Sequence, residues 1–143
     1  MITVSACLCG VNCRYDGRNS YHNALMEKLA SEDFLPVCPE VLGGLSVPRT
    51  PARIIGGTGY DVLKGTARVI NDKGRDVTGA FLKGAFAVLA ILQEHSVSRC
   101  YVKDKSPSCG FGKGSLTNNR ITGVCSALLD QKGIQVIEIP SEK

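Results

Sequence analysis

The stretch ITVSACL, residues 2–8, decides how this chain folds. It is short, apolar and rich in β-branched residues, and Gly10 interrupts the chain soon after it. These features predict a buried strand, which a helix over 22–33 and a second strand over 34–38 follow. The alternation continues with strands over 98–103 and 134–139 and helices over 78–95 and 123–132. This order is typical of an α/β domain with a mainly parallel, Rossmann-like sheet flanked by helices.

The middle of the chain interrupts this alternation. Residues 39–61 are rich in Gly and Pro and are expected to be mostly irregular, although their apolar content argues against disorder. A small hairpin insertion is predicted over 66–78, with its turn at 71–74. At this length we expect residues 1–143 to form one domain.

The composition excludes several classes of protein. The chain is 43% apolar with a mean hydropathy of +0.04, no apolar run approaches the length of a membrane span, and no secretory signal is visible. We therefore expect a cytoplasmic protein without membrane association. The net charge of +4 is weak support for a nucleic-acid partner. Seven cysteines, an odd number in a reducing compartment, favour metal binding or thiol chemistry over a disulfide framework.

Three of the cysteines follow predicted strands. Cys7 ends the first strand, Cys38 ends the second, and Cys109 lies in the loop KDKSPSCG (103–110) after the third. Ligands of open α/β sheets bind at the carboxyl ends of the strands, so we expect these thiols to converge there. Three thiolates are fewer than a structural zinc site or a typical iron–sulfur cluster uses. A metal centre held by them would keep one position open for a substrate.

The other four cysteines fall into two groups according to their predicted location. Cys100 within a strand and Cys125 within a helix are expected to pack in the core. Cys9 and Cys13 lie in the first loop, where they could be additional ligands, thiols that accept sulfur, or residues without a role.

Residues beside the three strand-end cysteines suit catalysis. Glu40 follows the second cysteine by two positions and could act as a general base. Ser106 and Ser108 flank Pro107, and their hydroxyls could orient a substrate. Two lysines upstream in the same loop would favour a thiolate at its cysteine. Taken singly, each of these residues could equally be a loop hydroxyl or a solvated charge.

Three segments together resemble the thiouracil desulfidase family. They are SACLCGVNCRYDG (5–17), CPEVLGGLSVPRTPARI (38–54) and VKDKSPSCG (102–110), and they occur in the family's order and spacing. The first departs from the family's usual CLLG, because Cys9 stands where leucine is common. Some relatives also lack a cysteine at the position of Cys13, so neither residue is expected to be a required ligand.

The resemblance implies a cofactor and a reaction. It implies a [4Fe-4S] cluster held by Cys7, Cys38 and Cys109, whose fourth iron takes sulfur from the substrate. The implied reaction is non-redox and converts 2-thiouracil and water to uracil and hydrogen sulfide. Glu40 and one serine, Ser106 or Ser108, would assist. Related members act on thiolated uridines, including those of tRNA.

Two alternatives and several partners remain open at this point. A zinc module could use Cys7, Cys9, Cys13 and one distant cysteine, and a metal-free thiol enzyme could use Cys109 as nucleophile. GFGKGS (110–115) lacks the spacing of a P-loop.

We expect a monomer or homodimer acting on a small thiolated pyrimidine. A tRNA substrate is less favoured because basic residues are scattered over the loops without an aromatic stacking set: Arg14, Arg49, Arg53, Lys103, Lys105, Lys113 and Arg120.

Overall fold

A computed structural model describes residues 1–112 and 121–140 of the chain. The expected alternation of strands and helices is present throughout these residues. In chain order the elements are β1 (Ile2–Ser5), a 3₁₀ turn (Ala6–Cys9), α1 (Asn23–Lys28), β2 (Phe34–Val37), α2 (Pro39–Leu42), β3 (Ala52–Ile55), α3 (Gly59–Lys64), β4 (Arg68–Asn71), α4 (Thr78–Glu94), β5 (Arg99–Lys103), α5 (Val124–Gln131) and β6 (Gln135–Ile139).

The main sheet is parallel, as predicted. In the described part of the chain it has four strands in the order β2-β1-β5-β6, and β1 pairs with β2 on one side and β5 on the other. All four residues of β1 are buried, which explains its apolar, β-branched sequence. The strand order reverses at β1, because the chain moves to one side for β2 and to the other for β5. Such a reversal opens a crevice at the carboxyl ends of the two central strands.

The predicted hairpin insertion is confirmed, with an additional strand. β4 turns back through Gly74, whose N–H donates to the Asn71 carbonyl, and Ile70 forms a bridge with Asp76. β4 also pairs antiparallel with β3, in a register that places Ile54 opposite Val69.

About half of residues 39–61 are irregular, as expected, and the other half form short elements that the sequence pattern does not predict. This segment contains α2, β3 and the start of α3. Pro39 begins α2, where a missing N–H costs nothing, and β3 gains its hydrogen bonds from a strand that follows in the chain. Both elements are short, so they depend on partners elsewhere in the chain more than on local preference.

Helix α4 forms much of the hydrophobic core. It packs against α5 and α2, and its side chains Phe81, Val88 and Leu92 form the centre of the core. Gly84 allows the close approach of α2, since a Cβ there would overlap the Pro39 carbonyl. No described helix is long and apolar enough to cross a bilayer.

Candidate active site

A cavity of about 650 Å³ lies at the carboxyl ends of β1, β2 and β5. Cys7 reaches it from the 3₁₀ turn directly after β1, Cys38 from the residue after β2, and Cys109 from the loop after β5. The structure therefore brings the three strand-end cysteines to one cavity. Glu40 and Ser106 line the same cavity.

Cys13 also enters this cavity. Cys13 is buried, and its thiol lies near those of Cys7 and Cys38, which shift its pKa. The Cys38 Sγ also lies 3.9 Å from the carbonyl oxygen of Cys13. Cys9 does not line the cavity; its Sγ lies 3.8 Å from the Ser5 carbonyl oxygen. Cys9 and Cys13, which the sequence pattern does not distinguish, therefore lie in different environments.

Burial and neighbouring groups favour the protonated forms of Cys38 and Cys109. Burial raises the pKa of Cys109 well above its usual range, the Glu40 carboxylate adds to this, and a hydrogen bond from Ser5 opposes it. The hydrogen bond with Cys13, followed by burial, raises the pKa of Cys38. The expectation that nearby lysines favour a Cys109 thiolate is wrong here, because the Lys103 ammonium is turned to Asp104, 3.0 Å from its carbonyl and 3.5 Å from its carboxylate.

Glu40 lies at the centre of a partly buried polar network. Its Oε2 accepts hydrogen bonds from Arg49 Nε at 3.0 Å and Nη2 at 2.8 Å. Its Oε1 accepts a hydrogen bond from the Ser106 hydroxyl at 3.4 Å. Sequence reasoning placed Arg49 among scattered basic residues, because its contact with Glu40 depends on the fold of the irregular turn between them.

The two candidate serines have different surroundings. The Ser106 Oγ accepts hydrogen bonds from the backbone N–H groups of Ser108 and Cys109, each at 3.1 Å. These two donors direct its own proton toward Glu40. The Ser108 hydroxyl is buried, does not line the cavity and has no hydrogen-bond partner within residues 1–112 and 121–140. The structure thus places Ser106, but not Ser108, in the lining of the cavity.

The donor set suits an iron–sulfur cluster. Three thiols from three separate strand ends are soft donors, and a cluster binds each of its cysteines through a different iron. Over residues 1–112 and 121–140, no three His, Cys, Asp or Glu side chains are arranged to hold a single metal ion. The zinc set of Cys7, Cys9 and Cys13 is not assembled, since Cys9 is turned away.

The described lining of the cavity contains more basic than acidic residues. Glu40 is the acidic residue among the described lining residues. Tyr15 also lines the cavity, and the guanidinium of Arg14 lies over its ring, 5.8 Å from the centroid. Lys113 and Arg120 belong to the part of the chain that the structure does not describe. The described basic lining residues are Arg14, Arg49, Lys73, Arg75, Lys103 and Lys105.

The chain is similar to known proteins over nearly its whole length. The chain is 44% identical over 142 residues to the Bacillus subtilis (strain 168) protein YbbK, an alignment that covers 96% of this chain and 94% of YbbK. Its fold matches the solved structure of the [4Fe-4S]-dependent thiouracil desulfidase TudS with a TM-score of 0.79 and 36% identity, covering 96% of this chain and 89% of that one. Residues 2–140 match the family model for 2-thiouracil desulfurase. This chain belongs to the 2-thiouracil desulfurase family.

Proposed function

We propose that this protein is a [4Fe-4S]-dependent desulfidase that replaces the sulfur of a thiolated pyrimidine with oxygen from water. The observation that carries the proposal is the convergence of Cys7, Cys38 and Cys109 on the cavity that also contains the Glu40–Ser106 pair. Membership of the family and the likeness to TudS support it. The reaction exchanges a C=S bond for a C=O bond and releases hydrogen sulfide, so it needs no electron donor or acceptor.

Each residue has a distinct role in this proposal. Cys7, Cys38 and Cys109 would hold the cluster, which when bound supplies a thiophilic Lewis acid for the substrate sulfur. Glu40 accepts the proton of the attacking water at Oε1, the oxygen that is not occupied by Arg49. Ser106 fixes the position of that oxygen.

Iron and acid-labile sulfide per chain test the cluster. In anaerobically reconstituted protein we expect about four of each per chain, lost in Cys7→Ala, Cys38→Ala and Cys109→Ala. Cys9→Ala is the matched control and retains both, because its thiol lies outside the cavity lining. Cys13→Ala is also expected to retain iron. Iron that depends on Cys13 but not on Cys109 would contradict the proposed ligand set, and one tightly held zinc would favour the zinc module.

Conversion of 2-thiouracil to uracil, followed by chromatography, tests the reaction. The loaded wild-type protein is expected to release one hydrogen sulfide per uracil formed. Activity in metal-free protein that survives chelators would favour a thiol enzyme instead. Loaded protein that releases no sulfide from any thiolated pyrimidine would overturn the desulfidase function.

The cationic lining favours a second candidate substrate, a thiolated uridine that carries a phosphate, in a nucleotide or in tRNA. Lys73 and Arg75 on the hairpin turn and Lys105 in the cysteine loop would attract the phosphate. We expect kcat/KM for a thiouridine monophosphate to exceed that for the free base and to fall with added salt. The double variant Lys73→Ala/Arg75→Ala should lose this preference, whereas Lys64→Ala, outside the cavity, should keep it. Equal kcat/KM for base and nucleotide would leave the free base as the substrate.

A further inference from the structure

The Glu40–Arg49 contact is more specific than an ordinary ion pair. Arg49 directs two donors, Nε and Nη2, to one carboxylate oxygen, Oε2. The terminal torsion of a glutamate is broad and roughly two-fold, so the side chain by itself does not fix the plane of its carboxylate. Arg49 fixes that plane, because it holds one oxygen, Oε2, and leaves the other, Oε1, toward Ser106.

Arg49 is itself held in place. Its Nη1 donates to the Ser46 carbonyl at 3.3 Å, and its backbone N–H donates to the Tyr15 carbonyl at 2.8 Å. Its side chain is 8% exposed and that of Glu40 is 14% exposed. All three side-chain nitrogens of Arg49 therefore donate to protein oxygens, which uses three of the five N–H groups of the guanidinium.

We infer that Arg49 is a positioning residue for the reaction, one that acts through Glu40 by holding its carboxylate in a single orientation. This inference rests on the proposed function, in which Glu40 Oε1 accepts the proton of water. A lysine would keep the charge but would lose the planar fork that addresses one oxygen with two donors.

A kinetic double-mutant cycle tests the inference. In fully loaded protein, Arg49→Ala is expected to lower kcat about 100-fold with KM within about three-fold of wild type, because a small misplacement of a catalytic group costs this much. In the Glu40→Gln background the same change should lower kcat by less than about three-fold. Arg49→Lys should recover part of the loss. Equal losses in the two backgrounds, or a loss confined to KM, would overturn the inference.

The control removes a comparable ion pair elsewhere. Arg68→Ala breaks the exposed pair with Asp76, with Nη2 and Oδ2 2.7 Å apart, and should leave kcat unchanged. Iron per chain is measured for every variant. A fall in iron in Arg49→Ala and Arg49→Lys that accounts for the lost activity would show that Arg49 acts on cluster retention, which contradicts a role through Glu40.

A second readout does not depend on activity. Thermal unfolding of cluster-free wild type, Arg49→Ala, Glu40→Ala and the double variant should show a midpoint shift for the double variant well below the sum of the single shifts. Additive shifts would mean that the contact does not hold Glu40, and would overturn the inference whatever the enzyme does. If the unfolding shifts are strongly non-additive but the fully loaded wild-type protein is inactive, the Glu40–Arg49 contact is supported and the proposed function is not.

Discussion

The Ser5 hydroxyl accepts a hydrogen bond of 3.0 Å from the backbone N–H of Lys103, which joins the carboxyl ends of β1 and β5. The proton of the same hydroxyl is available to the sulfur of Cys109, and this interaction lowers the pKa of that thiol. Ser5 is buried. One hydroxyl therefore connects the two central strands to a proposed cluster ligand.

Replacing Ser5 should destabilise the protein even without a cluster. In Ser5→Ala the Lys103 N–H loses its acceptor, and leaving a buried donor unsatisfied costs about 1–3 kcal/mol. Ser5→Thr keeps the hydroxyl and serves as the matched control. The measurement is the free energy of unfolding in urea for cluster-free protein. Equal stability of Ser5→Ala and wild type would show that water replaces the lost bond.

Ser106 should matter more to turnover than Ser108. Ser106→Ala removes the donor to Glu40 and the acceptor of two backbone N–H groups, so kcat is expected to fall roughly 100-fold. Ser108→Ala removes a hydroxyl that does not line the cavity, and its kcat should fall much less. Steady-state kinetics at equal iron content measures both. A larger loss in Ser108→Ala would reverse the assignment.

Gly84 should be intolerant of a side chain because α2 lies against it. A Cβ at Gly84 would overlap the Pro39 carbonyl, so Gly84→Ala should move α2, which carries Glu40, and cost about 1–3 kcal/mol of stability. Gly79→Ala in the same helix has open space around it and should be neutral or slightly stabilising. Thermal unfolding and kcat are measured for both variants. A well-folded, fully active Gly84→Ala would show that the contact is not needed to place α2.

Asp76 should make the stability depend on pH in acid. Hydrogen bonds from Thr78, with a contribution from Arg68, lower the pKa of Asp76 to about 2. An unfolded aspartate has a pKa of about 3.9, so the unfolded chain binds this proton more readily. The stabilisation is therefore fully present above about pH 4 and is lost as the pH falls toward 2.

The variant Asp76→Asn measures this effect. Its unfolding midpoint should lie below that of wild type near neutral pH, and the difference should narrow between about pH 4 and pH 2. Asp72→Asn, in the turn of the same hairpin, controls for the loss of one negative charge. A difference that stays constant over this range would mean that the carboxylate does not act through its charge.

Much of the fold follows from local sequence pattern. Short β-branched strands alternate with amphipathic helices, and both patterns are local, so the parallel α/β class is predictable from the chain alone. The local pattern does not predict β3, because that strand depends on pairing with β4, and it does not predict α2, because one turn of helix after Cys38 has almost no periodic signal. Elements this short are stabilised by distant partners rather than by propensity.

By itself, the sequence determined the order of the elements and the positions of Cys7, Cys38 and Cys109 at the ends of three strands. Parallel strands share one carboxyl edge, so the convergence of these thiols could be inferred before any coordinates. Only the tertiary structure decided that Cys13 faces the cavity and Cys9 does not, that Ser106 rather than Ser108 contacts Glu40, and that Arg49 closes the network. The physical reason is that these contacts join side chains through irregular turns, and the direction of a side chain on such a turn is set by packing rather than by spacing along the chain.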